Sequence, residues 1–135
     1  MGTEVMTKYQ IQKIEEVIRP ADDQVAQANM FNPDPEPGNE YVMVRITIQC
    51  IQPSGEKCNV YLSDYKLSGS TGLIREPEWV ISGLPHMLES TEMFGGATLS
   101  GWIVFDVSQD ETGLILAWEP TFSLSTGYIS LPDKE

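Results

Sequence analysis

The chain has 135 residues, 41% of them apolar and 21% charged, the size and balance of one globular domain spanning residues 1–135. Eight Lys and Arg stand against twenty Asp and Glu, a net charge of −12 that repels phosphate backbones and anionic lipid heads and excludes nucleic-acid binding as a function class. No apolar run approaches the roughly 18 residues of a membrane span, and the opening Met1-Gly2-Thr3-Glu4-Val5-Met6 has neither a basic region before an apolar core nor the position-6 hydroxyl of a myristoylation signal, so a soluble chain without membrane insertion is expected.

Residues 8–18 admit two readings: Ile11, Ile14, Val17 and Ile18 share a helical face, whereas Tyr9 and Ile11 fit an opening strand. The strand is preferred, because a lone helix must find its own place on a sheet protein, and Pro20 ends the segment either way. Residues 19–40 hold four prolines and five acids, with only Val25, Met30 and Phe31 as sizeable apolar groups. They read as a long loop, either a plain connection or a binding or metal-contacting loop. Residues 41–51 alternate with period two, placing Val42, Val44, Ile46, Ile48 and Cys50 on one face and Tyr41, Met43, Arg45, Thr47 and Gln49 on the other. A reversal is expected over residues 52–57, which include Pro53, Ser54 and Gly55, and residues 58–67 alternate more weakly as a following strand.

After the Gly95-Gly96 turn signal, residues 99–107 set Leu99, Ile103, Phe105 and Val107 on one side and Trp102 and Val104 on the other. Residues 114–118 and 128–131 supply two further short strands. Short strands at this spacing, with almost no helical pattern, predict an all-β antiparallel sandwich or barrel.

The strand order also resembles a known family. Pro37-Gly38 before the strand from Glu40 to Ile48, Ser63-Asp64-Tyr65-Lys66-Leu67 with Gly72 after it, and above all the stretch from Gly95 through Trp102 to Val107, continued by Gly113 to Pro120 and closed by Tyr128-Ile129-Ser130-Leu131, carry the likeness. Over residues 37–131 the chain resembles the telokin-like, immunoglobulin-fold domain of unknown function of bacterial secreted proteins and lipoproteins, and it is similar to the small mycobacterial secreted immunogenic proteins. The resemblance implies an immunoglobulin-like β-sandwich of about seven strands, located outside the cell or on its surface. It departs from the family at Gln49-Cys50, where an Asn commonly ends the long strand, and the export signal and lipidated Cys of the family's lipoproteins are not in this sequence.

Catalytic signatures are few. The single histidine, His86, lies in the loop segment Gly83-Leu84-Pro85-His86, so two imidazoles cannot meet on a metal within one chain. No G-x-S-x-G elbow aims a serine, and neither G-x-G-x-x-G nor the phosphate-binding G-x-x-x-x-G-K-[ST] occurs. No enzymatic activity and no cofactor are therefore expected. Between Arg75 and Lys134 no Lys or Arg appears, while nine acids do. Asp22, Asp23, Asp34 and Glu36, or Asp110 and Glu111, are candidate calcium carboxylates, against the plainer reading of a solvated acidic surface.

Cys50 and Cys58 sit symmetrically about Ser54 on core-facing parities and could pair across neighbouring strands; in a reducing cytosol they would be two buried thiols, in an exported chain a disulfide. Trp79 and Trp102 are the candidate interaction surface, either stacking on a ligand or lying under a cover such as residues 19–40. The reading that results is a non-catalytic extracellular interaction or adhesion module binding a protein or glycan, with a small-ligand carrier for carbohydrate or calcium as the rival. Oligomeric state leaves no mark in this sequence.

Overall fold

The computed structural model describes residues 4–6, 9–78, 80–119 and 127–131. Four antiparallel strands form the first sheet in the order β1 (Glu4–Met6), β2 (Gln10–Ile18), β3 (Asn39–Cys50) and β7 (Thr98–Ser108). Facing it are a pair, β4 (Lys57–Val60) with β6 (Thr91–Phe94), and a three-stranded sheet, β5 (Tyr65–Ser68), β8 (Ile115–Trp118) and β9 (Gly127–Ser130). The result is an immunoglobulin-like antiparallel β-sandwich. Of residues 8–18, Gln10–Ile18 are strand, with a bulge between Ile14 and Glu16 that lets β2 follow the twist of β3.

The main core fills the space between the two layers. Val42, Val44, Ile46 and Ile48 of β3 and Ile103, Phe105 and Val107 of β7 meet Val60, Tyr65, Leu67, Leu116, Trp118 and Ile129 from the opposite side. Alternation places them: β3 and β7 run in unbroken register from Asn39 opposite Ser108 to Gln49 opposite Thr98, so their inward parities coincide. One polar chain crosses this core, in which the Tyr65 hydroxyl donates to Gln12 Oε1, Gln12 Nε2 to Gln10 Oε1 at 3.0 Å, and Gln10 Nε2 to the Asn59 carbonyl at 3.3 Å. Burial pushes the Tyr65 phenol far above its usual range, so it serves here as a neutral donor.

Two expectations need correction. Residues 19–40 are not all loop, since α1 (Asp22–Ala28) occupies their first half. Seven residues with a single buried apolar side chain, Val25, give no amphipathic period to read; Asp22 and Asp23 in the first turn complement the helix dipole. Residues 58–67 are not one strand either, because a 3₁₀ turn at Leu62–Asp64 divides β4 from β5 and sends them to different sheets. The hairpin expected about Ser54 therefore does not form: β3 pairs with β2 and β7, and β4 pairs with β6. Cys50 and Cys58 are nevertheless joined by a disulfide, with Cα atoms 5.9 Å apart, which ties the end of β3 to the start of β4 across the sandwich edge.

At the opposite end of β3, Arg19 donates from Nε to Glu40 Oε2 at 2.6 Å and from Nη2 to the carbonyls of Ser108 (3.2 Å) and Glu111 (2.7 Å). Both charged side chains are almost fully enclosed, 6% and 4% exposed. Removing one partner strands a buried charge, so Glu40→Gln is expected to lower unfolding stability by about 3–5 kcal/mol in urea titration. Replacing Cys50 and Cys58 together by Ala opens a short loop and is expected to cost about 2–3 kcal/mol by the same assay.

Candidate functional site

Part of the outer face of the first sheet is apolar as well. Tyr41 and Met43 of β3 and Val104 of β7 form a second cluster with Ala21 and Val25 of the α1 region and Ile81, and Ile18, Leu84, Met87 and Trp102 pack against it. Trp102 thus points away from the main core, as its parity requires, and lies half-buried at the edge of a covering layer made by α1 and residues 81–87. Backbone pairing fixes that layer to β7: the Leu88 amide donates to the Trp102 carbonyl at 2.8 Å, the Trp102 amide to the His86 carbonyl at 2.9 Å, and the Glu78 amide to the Val104 carbonyl at 2.8 Å. Gly83, at φ +84, brings its segment so close to the Ala28 carbonyl that a Cβ would collide with it.

Between α1 and this segment is a cleft of about 350 Å³, lined by Gln24, Gln27, Met43, Leu84, Pro85 and Trp102 among others. The Arg45 guanidinium lies over the Trp102 ring, 5.8 Å from its centroid. Beside the cleft the chain leaves α1 through a turn whose tip is Met30-Phe31, each 85% exposed. That tip is tightly held. Asn32 Oδ1 accepts from the Ser82 amide while Asn32 Nδ2 donates to the carbonyls of Ser82 and Val25, all at 2.9 Å; Asn29 Nδ2 donates to Ser82 Oγ at 3.0 Å, and Asn29 Oδ1 accepts from the Phe31 amide at 2.9 Å. Trp102 and the 19–40 segment, separate candidates in the sequence, are brought together here, whereas Trp79 lies outside the described residues. The Asn32–Ser82 clasp has no signal in the sequence, because its partners are fifty residues apart.

A second depression, of about 370 Å³, opens at the other end of the same face, lined by Glu36, Asn39, Arg75, Glu76, Glu78 and Asp106, with Ile74 and Pro77. Asp106 shares its parity with Trp102 and Val104, four residues along β7 from Trp102, about 13 Å on strand geometry. Its Oδ2 accepts from the Glu36 amide at 3.2 Å. Carboxylates dominate the local field. Glu78 has its pKa raised, first by burial and then by Asp106 and Glu36, and the Tyr41 phenol, which donates to the Pro33 carbonyl, is pushed up to about 12 by burial and by Asp106, Glu78, Asp22 and Asp34.

Of the candidate calcium carboxylates, Asp22 accepts at Oδ1 from the Tyr41 amide at 2.8 Å, and Glu111 at Oε1 from the Thr71 amide and hydroxyl. Among the described residues, no three of His, Cys, Asp and Glu gather in a metal-holding arrangement.

A carboxyl whose pKa is higher in the folded than in the unfolded chain binds more protons when folded, so its contribution to stability is full below the ordinary value of 4.5 and is lost as pH rises through the raised value. Glu78→Gln is therefore expected to raise the thermal midpoint at neutral pH and to leave it unchanged below pH of about 4, where both forms are uncharged.

Comparison with solved structures supports this fold in proteins of the cell exterior. The chain superposes on ycdA of Bacillus subtilis, described as a candidate lipoprotein, with a TM-score of 0.75 and 13% identity over 100% of its own length, and it spans 40% of that protein. It superposes on MPT63, a secreted protein of Mycobacterium tuberculosis, with a TM-score of 0.63 and 13% identity, covering 95% of this chain and 88% of the other. A β-sandwich protein of Clostridium difficile matches with a TM-score of 0.51 and 13% identity, over 98% and 91% of the two chains. No curated protein matches the sequence. No helix among the described residues is long and apolar enough to cross a membrane. A family model covers residues 3–129, and on that match the chain belongs to DUF4352, a domain of unknown function.

Proposed function

We propose that the chain is a non-catalytic interaction module of the cell exterior that grips a protein partner with the Met30-Phe31 tip and the adjoining Trp102 cleft. One observation carries this reading: two large apolar side chains stand 85% exposed on a turn clamped from both sides by the Asn32–Ser82 amide clasp. Exposed apolar groups on a floppy loop would lose most of their contact energy to ordering, and a pinned tip avoids that loss. The cleft beside it offers Met43, Leu84, Pro85 and Trp102 to an incoming apolar side chain, the arrangement in which a few central residues dominate binding. The extracellular placement is supported by the secreted and lipoprotein character of the similar structures and by the Cys50–Cys58 bond.

A glycan-binding reading draws on the same cleft, where the Gln24 and Gln27 amides flank Trp102. The Arg45 guanidinium over the Trp102 ring counts against it, since it takes a face on which a sugar ring would stack.

The purified domain, immobilised and exposed to surface and culture-medium proteins of the producing cell, is expected to capture a protein saturably and equally with calcium or chelator. Met30→Ser with Phe31→Ser, which touches no core residue, is expected to weaken that capture by roughly tenfold or more without lowering the melting temperature. Capture that survives the double substitution, or capture of glycans alone, overturns the reading.

A further inference from the structure

The acidic depression contains an imbalance that its own residues do not resolve. Asp106 is only 9% exposed, and its Oδ1 has no hydrogen-bond partner; the buried Arg75 Nε has none either. Ion pairs among the described residues engage Arg19, Arg45, Lys57 and Lys66, and Arg75 is in none of them, although the chain carries a net charge of −12. Leaving a buried donor or acceptor without a partner destabilises the fold, and more so when the group is charged. Two such groups of opposite sign therefore stand in the wall of one cavity without meeting each other.

Their positions are set by rigid backbone. Arg75 is held against β5 by paired hydrogen bonds with Leu67, at 2.7 and 2.9 Å, while Asp106 is on β7 and Glu78 is tied to β7 through Val104. A cavity of about 370 Å³ is at the small end of the roughly 300–1,000 Å³ found for small-molecule sites. The chemistry of its walls narrows the occupant. An anion meets Glu36, Glu78 and Asp106; a simple diamine leaves Arg75 unpaired; and the metal-ion arrangement is missing among the described residues. Glu76 is already engaged by Lys66 at 3.3 Å, so Glu36, Glu78 and Asp106 remain as the acidic wall.

We propose that this cavity binds a free basic α-amino acid, with its carboxylate on Arg75, its α-ammonium on Asp106 and its side-chain cation facing Glu36 and Glu78. Such a ligand sets an opposite charge against the Arg75 guanidinium and the Asp106 carboxylate together, and its net positive charge matches the surplus of carboxylates. Burial first, and then the neighbouring Asp106 and Glu36 carboxylates, raise the Glu78 pKa, and a bound cation relieves the second of these causes.

Isothermal titration with L-lysine and L-arginine tests the assignment, with cadaverine, which is lysine without its carboxylate, and L-glutamate as comparators. One lysine per chain is expected to bind, cadaverine roughly tenfold or more weakly, and glutamate not at all. Arg75→Gln is expected to bring lysine down to the level of cadaverine, and Asp106→Asn to weaken both; asparagine keeps the shape and the acceptor for the Glu36 amide, and thermal melting verifies that each variant is folded. No heat from lysine at millimolar concentration overturns the proposal. So does cadaverine binding as tightly as lysine, which leaves only a diffuse acidic patch, or an Arg75→Gln variant with unchanged lysine affinity. The Met30/Phe31 double variant is expected to bind lysine normally, so failure here and failure of the protein-partner reading are separate results.

Discussion

The pairing of β3 with β7 is the constraint on which the rest of the structure depends. Eleven residue pairs hold these strands in register, and around Tyr41–Val44 and Ile103–Phe105 both faces are apolar: Val42, Val44, Ile103 and Phe105 inward, Tyr41, Met43 and Val104 outward. A sheet that is apolar on both sides cannot leave one side in water, since each large side chain left exposed forgoes about 1.5–3 kcal/mol of burial. An ordinary two-layer sandwich covers only the inner side. Here α1 and residues 81–87 supply a third layer, and what the molecule offers to a partner is set at that layer's margins. The Trp102 cleft opens where the cover stops at one end, and the Asp106 depression lies toward the other.

Charge is distributed to suit this arrangement. Residues 20–44 and 76–133 contain no Lys or Arg, and these two stretches build the cover, the pinned turn and most of the acidic depression. The cations sit elsewhere and are mostly spoken for: Arg19 by Glu40, Arg45 by Glu16 and the Trp102 ring, Lys57 by Glu92, Lys66 by Glu76. The exposed pairs at 3.6 and 3.8 Å contribute little to stability, because solvent screens them. Arg19 and Glu40 differ in being enclosed, and their geometry couples the entrance of the cover to the start of β3 and to the carbonyls that end β7. Lys13 and Arg75 are in none of the ion pairs among the described residues, and Arg75 lines the acidic depression.

Much of the fold was legible because strand parity is a local signal. The alternation in residues 41–51 and 99–107 assigned Val42 to Ile48 and Ile103 to Val107 to one side and Trp102 and Val104 to the other, and the two clusters divide on those lines. Trp102 beneath a cover drawn from residues 19–40 follows from the same parity. Long-range pairing left no such trace. The partnership of β4 with β6 joins residues more than thirty apart, with Thr91–Phe94 mostly exposed and hence without a clear apolar alternation, so the nearest plausible hairpin looked sufficient. The helix in residues 22–28 escaped for the opposite reason: one buried valine is too little for a period of 3.6. The acidic depression draws Glu36, Arg75, Glu78 and Asp106 from segments as much as seventy residues apart, and no spacing rule reaches across that interval.

The two devices that anchor β3 stand at its opposite ends. Cys50 closes one end by its bond to Cys58, and Glu40, buried against Arg19, closes the other. Nine residues separate Tyr41 from Cys50, about 30 Å of extended chain, so reduction of the disulfide acts far from Tyr41, its cross-strand partner Asp106 and the depression they border. Breaking the Arg19–Glu40 pair acts at once on the entry to α1 and on the end of β7. Loss of the covalent tie is thus a change in global stability at a distance from both candidate surfaces, whereas loss of the buried ion pair removes the support from which those surfaces are built. The margins of the third layer depend on electrostatics inside the fold more closely than on the redox state of its only pair of cysteines.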